Sequence, residues 1–188
     1  NADLAQLTSF SITSDNGQIS TSWRCFYKIV GHCNANIKAI NTKLPDSVPL
    51  QSKNGALGEL QFLRATAYFH LAQLWGAVPI IEDNDKLIKN PLLPRHLLSD
   101  VYKFIINDLR FAAASLPVRD QPGRVTTWSA QGMLAKVYLT RAGIRGSRNQ
   151  MDLDSAAFFA KNVINTSGLT LLPNYYNLFR TQFNDNPE

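Results

Sequence analysis

The chain has little cysteine: two residues among 188, Cys25 and Cys33. On one helix, eight residues apart, they would be separated by about 12 Å of rise. A disulfide spans at most roughly 7 Å between Cα atoms. The two therefore cannot bridge each other there, and they read as small buried hydrophobes. Cysteine usage leaves the compartment open. Long apolar runs are also missing. None reaches the roughly 18 residues needed to cross a bilayer. Residues 1–10 have no basic start and no extended apolar stretch, so they do not read as a leader. That pattern fits a cytosolic chain, or one whose leader has gone.

Signs of catalysis and of metal binding are equally sparse. No two of His32, His70 and His96 stand at metal-ligand spacing with a further ligand on the same face. Glu82, Asp83 and Asp85 are crowded in a loop and read as solvated acids. There is no nucleophile elbow, phosphate-binding loop, dinucleotide fingerprint or defensible carboxylate pair. The expectation is a protein that is not an enzyme and holds no cofactor or metal. Net charge is +5, but the nineteen cations are mostly scattered singly, so nucleic acid is not an expected partner. Residues 121–151 differ, with Arg124, Lys136, Arg141, Arg145 and Arg148 and no acid. This span reads as a solvated helix end and loop, or else as a patch for an acidic partner.

What is present is helical periodicity in a chain with 45% hydrophobic residues, long enough for a real core. Residues 1–19 lack clear periodicity and form an expected irregular segment, with a turn signal at Ser14-Asp15-Asn16-Gly17. Trp23, Phe26, Val30, Cys33, Ile37, Ile40 and Leu44 then alternate spacings of three and four, which predicts one helical stripe. Ser20 or Thr21 can cap it and Pro45 ends it. A second helix is predicted over 55–75, with Leu57 or Leu60, Leu63, Ala67, Leu71 and Leu74 in its stripe. Gly76 follows as a left-handed residue and Pro79 forbids continuation. Residues 78–81 read as extended.

A third helix is predicted over 97–116, with Leu97, Val101, Phe104, Ile105, Asp108, Ala112 and Leu116 in register. Thr126 or Thr127 can cap a fourth, carrying Ala130, Met133, Leu134, Val137, Tyr138 and Arg141. Asp152 or Asp154 can cap a fifth, with Ala156, Phe159, Ala160, Val163 and Ile164, ended by Gly168. Short helical turns are expected over 173–179. The expected fold is all-α: stacked antiparallel helix hairpins forming a degenerate tetratricopeptide-like superhelix over 20–188. A clean repeat of about 34 residues is not found.

Several motifs, in order, resemble the SusD/RagB family of outer-membrane nutrient-binding lipoproteins of Bacteroidetes. They are Glu59, Phe62-Leu63-Arg64-Ala65, Tyr68-Phe69, Trp75-Gly76 and Val78-Pro79. Further matches are the aromatic-rich 23–34 with its Cys-Asn, then Arg95, Val101-Tyr102 and Asp108-Leu109. Gly123-Arg124-Val125-Thr126 leads into 135–139, and Val163-Ile164, Ser167-Gly168 and Tyr175-Tyr176 complete the series. The resemblance covers about residues 20–188. One departure is His96, where the family more often has Ser or Thr.

The resemblance implies a non-catalytic, cell-surface module that binds oligosaccharide. Its implied partner is a SusC-like TonB-dependent outer-membrane transporter, and its implied place is the outer membrane, lipid-anchored in a longer protein. It also implies a second lobe continuing past a segment like Asn186-Pro187-Glu188. The alternative is a helical-repeat scaffold for a protein partner, with no small ligand. Because the helical grooves read as taken up by packing, ligand contact is expected to lie mostly outside this chain.

Candidate ligand contacts within it are Asp15, Asn16 and Trp23, since the family's ligand surface borders the region before the first helix. Trp128 is a weaker candidate at a helix start. Arg64 reads as a structural anchor held by Asp108 or Glu59, with Gly76 and Pro79 as turn punctuation.

Overall fold

The computed structural model describes residues 2–146 and 148–183. The Arg145 side chain and the segment at Asn186-Pro187-Glu188 lie outside the described residues. Among the described residues there is no β-strand. Seven α-helices are present, α1 (Ala2–Thr8), α2 (Gly17–Lys43), α3 (Leu50–Trp75), α4 (Asn84–Lys89), α5 (Leu98–Ser115), α6 (Thr127–Ala142) and α7 (Gln150–Thr166), with short 3₁₀ turns beside them. The all-α, helix-hairpin fold expected from the stripes is the one present.

The chain forms two compact units. Unit 1 holds the residues up to Val48 together with Leu60–Ile105; unit 2 holds Pro49–Glu59 and the described residues from Ile106 onward. Both α3 and α5 therefore contribute a segment to each.

Several boundaries differ from the expectation for local reasons. The N-terminal segment is not irregular, because Ala2–Thr8 is helical. The turn that follows folds back on this helix. Asn16, not Ser20 or Thr21, caps α2: its Oδ1 accepts from the backbone N–H of Gln18 at 3.0 Å and of Ile19 at 3.2 Å. An Asn at this position satisfies two of the orphan donors of the first turn. Helix α3 begins at Leu50, so most of the expected loop over 46–54 is helical. Asn149 rather than Asp152 or Asp154 caps α7, accepting from the Asp152 N–H at 3.2 Å. The expectation at α6 holds: Thr126 caps it, and Ser129 returns the bond in a capping box.

The core of unit 1 is Val30, Ala65, Tyr68, Phe69, Leu71, Val78, Val101 and Ile105, all fully or nearly fully buried. Unit 2 buries Leu57, Leu109, Ala112, Ala130, Leu134 and Val137. Five assignments to stripes are corrected. Leu63 and Leu74 of α3, Ile164 of α7, and Leu44 and Leu97, which flank α2 and α5, are exposed. In helix α3 polar and apolar residues are mixed around the helix, so periodicity selects a face poorly there; the buried face is instead that of Ala65, Tyr68, Phe69 and Ala72. Cys33 is buried but Cys25 is exposed.

Candidate functional site

In unit 1, α2 presents Trp23, Tyr27 and Val30 on one face, the i, i+4, i+7 spacing of a helix. They form one wall of an open apolar cleft of about 290 Å³. The other wall is the extended segment after α3 and the α4 region, with Pro79, Ile81, Asn84 and Leu87. Trp23 packs tilted against Tyr27, with ring centroids 4.8 Å apart, and edge-on against Trp75 at 5.2 Å. The aromatic surface of Trp23 is thus shared between packing and the cleft.

The extended segment has no sheet to satisfy its backbone, so side chains do so. Tyr27 Oη donates to the Pro79 carbonyl at 2.8 Å. The Ile81 N–H donates to Tyr68 Oη at 2.7 Å, and the Ile80 N–H to His96 Nδ1 at 3.0 Å. The His96 N–H in turn donates to the Val78 carbonyl at 3.1 Å. The departure at His96 is thereby explained: the residue staples this segment by both backbone and ring, in place of capping α5. Burial pushes the Tyr27 phenol well above its ordinary range, and the neighbouring Tyr68 adds to the shift.

Beneath the cleft lies a buried polar relay. Arg64 Nη1 donates to Asn34 Oδ1 at 2.8 Å, and its guanidinium stacks 4.8 Å over the Phe104 ring. The Asn34 amide nitrogen donates to the Ile81 carbonyl at 2.7 Å. Asn84 donates to the Gly31 carbonyl at 2.8 Å. Arg64 and Asn34 are both buried, and the relay ties α2, α3 and the segment before α4 together. Apolar periodicity does not single out Asn34, because a polar residue next to Cys33 on a core-facing turn falls outside the stripe. Its Cys-Asn pairing is the one available signal.

The sequence-derived site residues are not all brought together. Asn16 is 1% exposed, and its amide is fully used, donating to the Asp3 carbonyl at 3.0 Å and to Gln6 Oε1 at 2.8 Å besides its capping bonds. Asp15 is exposed, and a bond from Thr13 holds its carboxyl below the ordinary value. Trp23 lines the cleft; Asp15 and Asn16 do not. Among the anchors, Arg64 is buried as expected, and Gly76 is left-handed at φ 73°. Glu59 does not hold Arg64. It accepts from Arg124 instead, in a pair that raises the Arg124 guanidinium's pKa. Asp108 is buried in unit 2.

The grooves are not all closed by packing, contrary to the expectation. Besides the unit 1 cleft, unit 2 carries open clefts of about 690 and 700 Å³ flanking Arg124. The basic span over 121–151 is not a free patch. Arg124 pairs with Glu59 and Asp120, and Arg141 holds Asp152 through two bonds of 2.8 and 2.5 Å. Among the described residues, no group of three or more His, Cys, Asp or Glu could hold a metal ion. Likewise, no described helix is long and apolar enough to cross a membrane.

A SusD-like family model, described as "Starch-binding associating with outer membrane", matches residues 1–139. The chain belongs to the SusD-like family. A SusD-like protein of Bacteroides ovatus is 41% identical over 185 residues, covering 97% of this chain and 34% of the relative. Among solved structures, one crystallised with a xylogluco-oligosaccharide is 40% identical, with a TM-score of 0.89 over 97% of this chain and 37% of its own. A SusD superfamily protein from Parabacteroides distasonis superposes with a TM-score of 0.88 at 26% identity, over 96% of this chain and 38% of its own. The chain thus spans about a third of the length of the SusD-like relatives it matches. SusD-like membership accounts for the order of the sequence motifs, from the Arg64 region to Gly123-Arg124.

Proposed function

We propose that this chain is the helical part of a glycan-binding protein of the outer-membrane surface. In this reading the protein binds oligosaccharide without cleaving it and passes it to a SusC-like TonB-dependent transporter. A lipid anchor in the longer protein holds it at the membrane. The observation that carries the proposal is the 40%-identical structure solved with a xylogluco-oligosaccharide, which aligns over 97% of this chain. The cleft chemistry supports it: Trp23 offers a flat apolar ring for the C–H face of a sugar, beside an amide at Asn84. Within that reading Asp15 and Trp23 remain the proposed ligand contacts. Asn16 acts by fixing the turn that carries Asp15.

Affinity electrophoresis against a polysaccharide panel including xyloglucan tests this, with calorimetry on derived oligosaccharides. Retardation by a neutral glycan with no released sugars is expected. The proposal fails if no polysaccharide retards the full-length protein, or if that protein hydrolyses the oligosaccharide. Co-purification with a TonB-dependent transporter encoded alongside tests the partner.

A second reading, a scaffold for a protein partner, is favoured by exposed apolar side chains around the unit 1 cleft. Ile88 and Leu92 are each 84% exposed. A partner captured at this face in the absence of any glycan binding would support that reading instead.

A further inference from the structure

A cleft in unit 2, apart from the Trp23 cleft of unit 1, contains Trp128. Three independent features converge there. The first is an orphaned donor. The indole Nε1–H of Trp128 is out of reach of solvent and has no hydrogen-bond partner among the described residues. A buried N–H without an acceptor is costly, and such groups call for an explanation.

The second is the lining. Trp128 lies one residue into α6, and its neighbours in the cleft of about 700 Å³ include Gln121, Thr126, Ser129 and Ser167. Amide and hydroxyl groups thus surround an aromatic ring. A pyranose needs this combination: a ring for its apolar face and small polar groups for its hydroxyls.

The third is charge. Arg119, Arg124 and Asp120 line the cleft. Arg124 also pairs with Glu59, so two cations stand against two anions. A balanced site does not favour a charged ligand. Asp120 and Arg124 also line the neighbouring cleft of about 690 Å³, while Ser167 and Leu169 continue into an apolar shelf with Ile164 and Leu171. The three clefts therefore adjoin one another, leaving room for more than one sugar.

We propose that this cleft is a second binding site for a neutral oligosaccharide, separate from the Trp23 cleft, with Trp128 as its aromatic platform and Arg124 and Asp120 as its hydroxyl-binding groups. The ligand class rests on the glycan-binding reading above; the location does not. The exposed loop over 118–124, which turns at Gly123 with φ 83°, borders the cleft.

The test follows the three tryptophan indole resonances of the ¹⁵N-labelled chain during titration with a xyloglucan-derived oligosaccharide. Trp128 is assigned by the signal lost in Trp128→Phe. Should that variant not fold, Trp23→Phe and Trp75→Phe assign it by elimination. The expected result is a saturable shift of the Trp128 indole. Arg124→Gln, at a half-exposed side chain, weakens the affinity read from this shift roughly tenfold.

Binding that leaves the Trp128 indole unmoved, or that Arg124→Gln does not weaken, overturns this site while glycan binding stands. Binding at Trp128 of acidic but not neutral oligosaccharide overturns the assigned ligand class. If no glycan shifts any indole and none is bound by the chain in calorimetry, this site and the glycan reading both fail for this chain.

Discussion

Arg64 and Asn34, thirty residues apart in sequence, are joined by a hydrogen bond of 2.8 Å from guanidinium to amide oxygen. Asn34 then passes the connection to the Ile81 carbonyl at 2.7 Å. The Phe-Leu-Arg-Ala motif is therefore linked to the Val-Pro segment that follows the helix through a residue of another helix. Replacing Asn34 by Leu leaves the buried guanidinium one acceptor short. The expected cost is about 2–4 kcal/mol in urea denaturation. A loss under about 0.5 kcal/mol would show that the relay does not hold the fold.

The Tyr27 phenol makes a prediction about pH. Its folded-state pKa is raised above the unfolded value by burial, so its contribution is intact below the unfolded pKa of about 10. Stability is lost as pH climbs beyond that point, because only the unfolded chain ionises readily. Tyr27→Phe removes the bond to Pro79 and costs about 1 kcal/mol at neutral pH. It also flattens part of the alkaline fall in melting temperature. An identical alkaline profile in wild type and variant would refute this account.

Two glycines respond oppositely to alanine. Gly76 has φ 73° where α3 ends, and its N–H closes the helix on the Ala72 carbonyl at 3.0 Å. Alanine there is strained and destabilises by about 1 kcal/mol. Gly132 lies within α6, is exposed, and a Cβ added there meets nothing within 4 Å. Alanine at 132 stabilises by up to about 1 kcal/mol through helix propensity. Thermal melts of the two variants shift in opposite directions, and a shift of the same sign would contradict the argument.

Two ion pairs separate by burial. Asp152 is 6% exposed and is gripped at both oxygens by Arg141. Asp152→Ala strands part of that guanidinium and costs about 2–3 kcal/mol. Lys38 pairs with Asp85 at 2.5 Å, but both side chains are at least half exposed. Lys38→Met leaves the urea midpoint nearly unchanged, since solvent and salt screen such pairs. Equal midpoint losses would show that burial is not what distinguishes them.

The sequence by itself determined the five long helices and where most of them end, but not the short α1 and α4 or the starts of α2, α3 and α7. Stripes at spacings of three and four, the proline after α2, the glycine after α3 and the threonine before α6 act over one or two turns, so they are legible locally. Family membership was legible in the same way, from short motifs in fixed order. Tertiary structure alone decided the long-range polar pairs. Asn34 to Arg64, His96 to Ile80 and Arg141 to Asp152 depend on which faces meet, and helical periodicity carries no information about that. It also decided that Leu63 and Leu74 face solvent while Tyr68 and Phe69 are buried. A helix whose apolar and polar residues are mixed around it has no preferred face until its neighbours choose one. The open clefts arise for the same reason: a groove exists only between elements whose separation no single stripe specifies.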